Sequence, residues 1–351
     1  DFCLSRGLGD VYKRQPVLMP PKALARVMDE LRNAFEVAPD ADAALQATCA
    51  GLSFDALGHY RKAGITFLEL GQETFDGVQH DALGLCYPMN SYIDARQLLT
   101  FCSWDGLGMS LLYGLPGQNR VNLSTSIVNA VGFGAREIAL APLRLRPGSA
   151  LHERYAEHPE RFDALPRKAW PTDDELLFAG GFTRVTQHLF SADGTLRASQ
   201  RARCDDVDRL GVGAGAWSKL DGVVSRSTGD LTRYLAHAED VRAITAAADV
   251  LTPVEASCRY VAGRLFAAEG FSHTEHERRF GASLPVPLRA ELERLAEAGW
   301  ATCEGDRWKL TCEGGHRYDD AVRRLAAAAQ AEKEAAGHRG AGASPRVAAS
   351  A

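Results

Sequence analysis

"YRKAGITFLELGQETFD", residues 60–76, is the stretch that decides the fold of this 351-residue chain. Gly64 is the kind of residue that ends a helix, and the mostly apolar run "ITFLELG" that follows it predicts a buried strand that ends at Gly71. Because the strand follows the helix after so short a turn, the stretch is typical of a βα repeat. Repeats of this kind pair their strands in parallel, so we expect an α/β fold.

Further strands and helices alternate on both sides of this stretch. Ser53 has the side chain of a helix N-cap, and Phe54, Leu57 and Tyr60 have the spacing of the buried face of the helix that it opens. The other predicted elements are a helix in "PPKALARVMDELRNAF" (20–35), a strand in "ALQATCAG" (44–51), a helix from Tyr92 to Cys102, a strand in "LGMSLLYGLPG" (107–117), a helix in "STSIVNAVGFG" (124–134) and a strand in "EIALAPLRL" (137–145). The resulting parallel sheet is either a barrel or a doubly wound sheet.

The loops at one end of this sheet are the expected place for function. In both architectures ligands bind at the carboxyl ends of the strands. That rule puts "GQETF" (71–75), "YGLPG" (113–117) and residues 141–143 on one rim. We expect a ligand site there.

Composition narrows the class of protein. The chain is 46% apolar and 24% charged, which is typical of globular proteins. Its net charge of −5 provides no excess of positive charge that would attract nucleic acid or an anionic membrane. Apolar runs stay shorter than the roughly 18 residues of a membrane span. Eight cysteines are scattered without a CxxC motif, which predicts reduced thiols, a cytoplasmic protein and no metal site.

The C-terminal part contains two further motifs. "RLGVGAGAWS" (209–218) matches a phosphate-binding loop weakly, and close backbone packing or approach to a ligand explains its glycines better. "LPVPLRAELERLAEAGWATCEGDRWKLTCEGG" (284–315) predicts a helix and two short strands around Gly305, which resembles a winged-helix module. Its even mixture of charges argues against DNA binding. His273 and His276 are expected on an exposed helical face, with a metal site as the alternative.

The N-terminal residues have a different character. Residues 5–15, "SRGLGDVYKRQ", show neither helical nor strand periodicity, and their codons can spell a transposon-end adapter used in sequencing libraries. We therefore expect residues 1–15 to be an adapter-like artefact and the natural sequence to begin near Pro16. The rest is expected to divide into an α/β domain with an extension over residues 16–235, the winged-helix-like module over residues 236–325, and a disordered Ala- and Gly-rich tail over residues 326–351.

Several stretches, in their order, resemble the radical S-adenosylmethionine (SAM) family of oxygen-independent coproporphyrinogen III oxidases and their relatives. They are "PVLMPPKALARVMDELRNAF", "YRKAGITFLELGQETFD", "LLYGLPGQ", "LRLRPGSAL", "RLGVGAGAWS", "RRFGAS" and "LERLAEAGW". The resemblance runs from Pro16 to about residue 325. "YGLPGQ" followed later by the glycine-rich segment is its more specific part.

This resemblance implies a partial (βα) radical SAM barrel over residues 16–235, without its first strands, and then the winged-helix-like module. Family members hold a [4Fe-4S] cluster on a CxxxCxxC loop and cleave SAM reductively, with electrons from a donor such as flavodoxin or ferredoxin. The radical abstracts hydrogen from a small-molecule substrate, here a tetrapyrrole or a related compound. The adapter stands where the cluster loop would be, so we expect this fragment to be inactive and its full-length parent to be a radical SAM oxidoreductase.

The resemblance also implies which residues contact SAM. They are Gln46, Gly71, Gln72, Glu73, Ser110, Tyr113 and Gly114. Four positions depart from the family pattern, with Gln46 in place of a glutamate, Glu73 of a glutamine, Leu85 of an arginine and Ser110 of an aspartate. A shift of one residue would give Gln72 the role of the glutamine, and Glu69 or Glu73 would then supply a carboxylate. The catalytic residues stay unassigned.

Other functions are compatible with these departures. A haem chaperone or a catalytically degenerate paralogue would bind haem or a tetrapyrrole, with His188 and Cys86 as candidate ligands. A related radical SAM methyltransferase would keep the cofactors and change the reaction. A winged-helix regulator is disfavoured by the charge of the module.

Overall fold

A computed structural model describes residues 19–39, 41–85, 87–145, 150–156 and 174–339. The chain forms two compact units, which divide in sequence between Ala198 and Ser199. The domain boundary that the sequence places after residue 235 stays a prediction.

The first unit is built on a six-stranded sheet. Its strands are β1 (Ala44–Thr48), β2 (Phe67–Glu73), β3 (Leu107–Tyr113), β4 (Glu137–Pro142), β5 (Thr183–Arg184) and β6 (Leu189–Ser191). The spatial order is β1-β2-β3-β4-β6-β5, and β1 to β4 are parallel neighbours. A doubly wound sheet reverses its strand order at a switch point, whereas these four strands follow the chain without reversal, as in a barrel. The predicted α/β fold with a parallel sheet is confirmed.

Helices follow the strands as the βα pattern requires. They are α1 (Pro21–Ala34), α2 (Phe54–Lys62), α3 (Gly77–Leu83), α4 (Ser91–Phe101), α5 (Arg120–Phe133), α6 (Ala150–Ala156) and α7 (Asp174–Ala179), with a short 3-10 helix at Cys49–Gly51. Ser53 caps α2, because its hydroxyl accepts a hydrogen bond of 3.1 Å from the Ala56 amide. Apolar side chains of alternate strand residues, such as Leu70, Met109 and Ile138, form the core of this unit.

One residue of the predicted buried face of α2 points the other way. Leu57 and Tyr60 are buried, but Phe54 is 63% exposed and its ring lies 5.9 Å from that of Phe101. Phe54 is the first residue of the helix, where the chain has just turned after the Ser53 cap. The prediction that Phe54 points inward is therefore wrong.

The second unit begins with a small antiparallel sheet. After α8 (Ala198–Cys204) come β7 (Trp217–Leu220), β8 (Val223–Ser227), α9 (Leu231–Ala236), α10 (Val241–Ile244) and β9 (Thr245–Val250), with the strand order β7-β8-β9. The glycine-rich segment leads into β7, and its amides bond within the unit: Gly211 N to Ser218 Oγ, Gly213 N to the Tyr234 hydroxyl and Gly215 N to Thr228 O. Gly211 is closely packed, because a Cβ on it would lie 2.3 Å from the Trp217 carbonyl oxygen, whereas Gly213 and Gly215 have positive φ values of 112° and 73°. Approach of these glycines to a ligand stays a prediction.

The rest of the second unit has the element order of a winged helix. It contains α11 (Pro253–Phe266), β10 (Phe271–Ser272), α12 (His273–Phe280), α13 (Val286–Glu297), β11 (Ala301–Glu304), β12 (Arg307–Leu310), α14 (Cys312–His316) and α15 (Tyr318–Arg339). The three strands form one sheet in the order β10-β12-β11. Leu265, Phe271, Leu288, Leu292 and Leu325 are among the residues of its core. The helical C-terminal module is as predicted, and α15 continues past residue 326.

His276 does not lie on an exposed face. It is 1% exposed, and its Nε2 lies 2.6 Å from the Ser257 hydroxyl inside the winged-helix module. Phe280 stacks on its ring at 4.7 Å, and Tyr260 lies beside both rings. The prediction that His276 lies on an exposed helical face is therefore wrong, because its position on α12 faces the core of the module.

None of the helices in the described ranges combines the length and the apolar character that crossing a bilayer requires.

Candidate functional site

The face of β1 to β4 that is opposite the helix-packed core forms a shallow trough. Thr48, Gly71, Ser110 and Ala139 stand in register across the four strands, toward their carboxyl ends. Gly71, Ser110 and Ala139 are only partly buried, although they lie in the middle of the sheet. Because these side chains are small, the trough leaves room for a ligand where parallel sheets usually bind one.

Glu73 covers one point of the trough. It ends β2 at a register irregularity between Gly71 and Glu73, with a φ of 57°, which is a left-handed backbone that few non-glycine residues adopt. A Cβ placed on Gly71 would lie 3.0 Å from Glu73 Oε1. The carboxyl group is therefore folded back over Gly71, and a side chain at this position would make a tight contact with it.

Tyr87 holds this carboxyl group in place. Its hydroxyl donates a hydrogen bond of 2.5 Å to Glu73 Oε2, and both residues are buried. The His80 ring packs edge-on against Tyr87, with the ring centres 5.2 Å apart. His80 Nε2 is buried and has no hydrogen-bond partner among the described residues. A carboxyl, a phenol and an imidazole thus form a buried polar cluster beside the trough.

Burial changes the protonation of this cluster. Burial raises the pKa of Glu73 to about 7, while the hydrogen bond from Tyr87 acts in the opposite direction. Burial, and then the charge of Glu73, raise the pKa of the Cys49 thiol to about 12 and that of the Tyr87 hydroxyl above its usual range. Glu73 therefore changes charge near neutral pH, a property typical of functional carboxyl groups.

Gln72 lies beside this cluster but is turned away from solvent. Its side-chain amide donates 3.1 Å to the Thr74 carbonyl, and its Oε1 is buried without a partner in the part of the chain that the structure describes. The Thr74 hydroxyl in turn donates 2.9 Å to Gln79. Gln72 can reach a ligand only if this turn moves, whereas Glu73 faces the trough as it stands.

The opposite end of the trough is closed by a charge cluster around Arg197. Its guanidinium donates to Glu69 at 2.5 Å, to Glu137 at 2.8 Å and to Asp42 at 3.1 Å, and it lies 4.0 Å from the centre of the Phe67 ring. Each of these carboxylates belongs to a different segment of the sheet region. Arg197 therefore links carboxylates from the amino-terminal part of the sheet, a role that no local sequence pattern indicates.

The remaining predicted SAM contacts are divided between several places. Gln46 donates to Glu69 in the charge cluster, so it lies below the row of Gly71 and Ser110. Tyr113 belongs to the helix-packed core on the other face of the sheet. Gly114 follows β3 with a φ of 74°, which permits the turn there. Of the predicted residues, Gly71, Glu73 and Ser110 meet in the trough; the roles of all seven stay predictions.

The position of the expected arginine is apolar. Leu85 packs against a small cluster of Leu83, Leu112, Leu115 and Leu151. No cation replaces the arginine at this position, so the Leu85 side chain serves packing.

The described residues do not fit an iron–sulfur cluster. Among them, no group of three histidine, cysteine, aspartate or glutamate side chains lies close enough to hold a metal ion. Cys86 lies outside the described residues. The residues of the trough fit SAM better than they fit an iron–sulfur cluster. Gly71 and Ser110 keep the trough open, and the Glu73 carboxyl can contact a positively charged ligand group.

Comparisons with known proteins agree with this fold. No family model matches the chain. The haem chaperone HemW of Escherichia coli is 22% identical over 309 residues, which cover 85% of this chain and 78% of the relative. HemW of Bacillus subtilis is 21% identical over 81% of this chain and 76% of the relative. The oxygen-independent coproporphyrinogen III oxidase of Bradyrhizobium diazoefficiens is 27% identical, and the match spans 37% of this chain and 27% of the oxidase.

A solved structure shares the architecture. The coproporphyrinogen III oxidase HemN of Escherichia coli, described as a radical SAM enzyme, superimposes with a TM-score of 0.73 at 16% identity, over 89% of this chain and 75% of that chain. The fold is therefore that of the radical SAM proteins of this oxidase type. The chain is a relative of the oxygen-independent coproporphyrinogen III oxidases and of HemW, as its sequence predicted.

Proposed function

We propose that this chain binds a tetrapyrrole in the trough and that it carries haem, as the name of its HemW relatives describes. The observation that carries the proposal is the extent of those matches, which span 85% and 81% of the chain and so include both the sheet and the winged-helix module. The trough supports it as well, because small side chains line a partly open face at the carboxyl ends of the strands.

Oxidation of a tetrapyrrole by radical SAM chemistry is the second candidate. The superposition on the coproporphyrinogen III oxidase favours it, since that match covers 89% of the chain. This function requires an iron–sulfur cluster, for which the described residues provide no set of ligands. It also requires an electron donor, which we expect to be a flavodoxin or a ferredoxin.

Titration of the purified chain with haem tests the first function. We expect a saturable change in the haem absorption spectrum at one haem per chain. In parallel, calorimetry measures whether SAM binds. A chain that binds SAM but no haem would overturn haem carriage and leave the radical SAM reaction as the better account.

A matched pair of variants tests whether the trough is the site. Ser110→Phe places a ring in the middle of the trough, so we expect haem affinity to fall by at least about tenfold, or about 1.4 kcal/mol. Val128→Phe adds the same ring on α5, at a residue that is exposed to solvent, and should leave the affinity unchanged. Equal haem binding by both variants would place the site elsewhere.

A further inference from the structure

We propose that Glu73 recognises a positively charged group of a ligand, an ammonium or a sulfonium, and that binding of this group in the trough releases a proton from Glu73. Tetrapyrrole side chains such as propionates are anionic, so this cation site is a property beyond haem carriage.

The position of Glu73 is the first support. Its Oε1 lies where a Cβ on Gly71 would make contact at 3.0 Å, so the carboxyl group stands over the row of small trough residues. The in-register neighbours of Gly71 on β1 and β3 are Thr48 and Ser110, which carry hydroxyl groups and no charge. A charged group that enters this part of the trough therefore meets the Glu73 carboxyl.

The surroundings of Glu73 are the second support. Tyr87, from the loop after α3, donates a hydrogen bond to it. Cys49, from the 3-10 helix, is a thiol whose pKa the charge of Glu73 raises, and His80, from α3, packs edge-on against the Tyr87 ring. None of these groups is an arginine or a lysine. Within the described residues the carboxyl is therefore buried without a cation to balance its negative form.

The physical consequence is a coupling between ligand charge and protonation. Desolvation favours the neutral acid, so Glu73 holds its proton near and below neutral pH. A cation brought within about 4 Å in this poorly solvated place strongly favours the carboxylate. The left-handed backbone at Glu73 keeps its carboxyl over the trough, and conformations of this kind are concentrated at ligand sites.

Calorimetry with SAM tests the proposal on the full chain. Measurements in two buffers of different ionisation enthalpy give the number of protons released on binding. At about pH 6 nearly one proton should leave, and at about pH 7.5 only a minority of one, because Glu73 is by then mostly ionised. Apparent affinity should rise by about eightfold over this range, in proportion to the ionised fraction.

Three ligands separate the possible charges. S-adenosylhomocysteine keeps the ammonium group and lacks the sulfonium, and adenosine lacks both. Proton release with SAM and with S-adenosylhomocysteine would show that Glu73 binds the ammonium group; release with SAM alone would show that it binds the sulfonium. Equal release with adenosine, or failure of the chain to bind both charged ligands, would overturn the proposal.

Two variants show whether Glu73 itself is responsible. Glu73→Gln keeps the shape and cannot ionise, so proton release at about pH 6 should disappear, and any pH dependence from the amino group of the ligand should remain. Tyr87→Phe removes the donor that stabilises the carboxylate, so proton release should persist to higher pH. A purely structural role for Glu73 would leave both profiles like that of the wild type, which would overturn the proposal. Circular dichroism confirms that each variant folds, and either variant alone suffices for the comparison.

Discussion

Gln46 and Glu69 lie opposite each other on β1 and β2, and the Gln46 amide donates a hydrogen bond of 3.1 Å to the Glu69 carboxylate. The family resemblance places a glutamate where this chain has Gln46. A carboxylate is thus present one strand away, but its other oxygen binds Arg197 at 2.5 Å. Glu69 is therefore committed to the charge cluster, which leaves Glu73 as the acidic side chain that faces the trough.

Replacement of Arg197 should destabilise the first unit severely. Arg197→Met removes the cation that Asp42, Glu69 and Glu137 share, so we expect a loss of about 3 to 5 kcal/mol in the free energy of unfolding. The free energy of unfolding of Arg197→Lys should lie between those of the wild type and of Arg197→Met, because an ammonium group keeps the charge but cannot reproduce the hydrogen-bond geometry of the guanidinium. Urea unfolding measures both. Arg26→Met, at an exposed residue of α1, is the control and should change the free energy of unfolding little. If all three variants lose the same small amount of stability, the charge cluster does not stabilise the first unit.

The glycine-rich segment allows a test of packing against ligand binding. A Cβ on Gly211 would lie 2.3 Å from the Trp217 carbonyl oxygen, so Gly211→Ala should lower the free energy of unfolding by about 1 to 3 kcal/mol. Gly229→Ala meets nothing within 4 Å and should change it little. Thermal unfolding compares the two. If Gly211→Ala is as stable as Gly229→Ala, close packing does not explain this glycine.

Two residues of α2 should respond very differently to truncation. Leu57 is 1% exposed in the core of the first unit, so Leu57→Ala should cost about 2 to 5 kcal/mol. Phe54→Ala, on the same helix, removes a mostly exposed ring and should cost less than about 1 kcal/mol. Chemical denaturation gives both values, and a large loss for Phe54→Ala would mean that this ring is covered.

His276 should make the winged-helix module sensitive to acid. Burial lowers its pKa below the ordinary 6.5, so the unfolded chain binds the proton more tightly than the folded one. The contribution of neutral, buried His276 to the free energy of unfolding is therefore complete above about pH 6.5 and is lost as the pH falls below that value. His276→Gln should weaken this pH dependence, and His237→Gln, at an exposed histidine, should leave it unchanged. The free energy of unfolding is measured by denaturation at about pH 7.5 and at about pH 5. If it falls by the same amount in the wild type and in His276→Gln, His276 does not cause the acid sensitivity.

Glu73 should have the opposite pH dependence. Because its pKa rises from 4.5 to about 7 on folding, its stabilising effect is complete below about pH 4.5 and is lost as the pH rises through about 7. The free energy of unfolding of Glu73→Gln relative to wild type should therefore increase by about 3 kcal/mol between about pH 4 and pH 8. Denaturation at both pH values measures this difference. A constant difference would mean that folding does not raise the pKa of Glu73.

The sequence predicted the elements whose signals are local. Apolar residues predominate in "ITFLELG", most of which belongs to the strand Phe67–Glu73, and Ser53 caps its helix through an amide three residues away. Phe54 was placed wrongly because helical spacing identifies an apolar face without showing where the neighbouring elements end. His276 was placed wrongly because the charged residues around it conceal that its own position faces the core.

The candidate site was less accessible to sequence reasoning. Its polar contacts join residues far apart in the chain, such as Tyr87 with Glu73 and Arg197 with Glu137, and no local pattern reveals such pairs. Tyr87 was missed for this reason. The one available signal was Gly71, since a glycine at the end of an apolar strand indicates close approach of another group, which proves to be the Glu73 carboxyl.

The charge cluster also sets the order of events during synthesis. Asp42 and Arg197 are 155 residues apart, and at about 5 to 20 residues per second a ribosome needs roughly 8 to 30 s to pass from one to the other. β1 to β4 are all synthesised within that interval, and the three carboxylates lack their shared cation until Arg197 is added at its end. The nascent sheet therefore reaches its final stability late, and cellular chaperones have a long window in which to bind it.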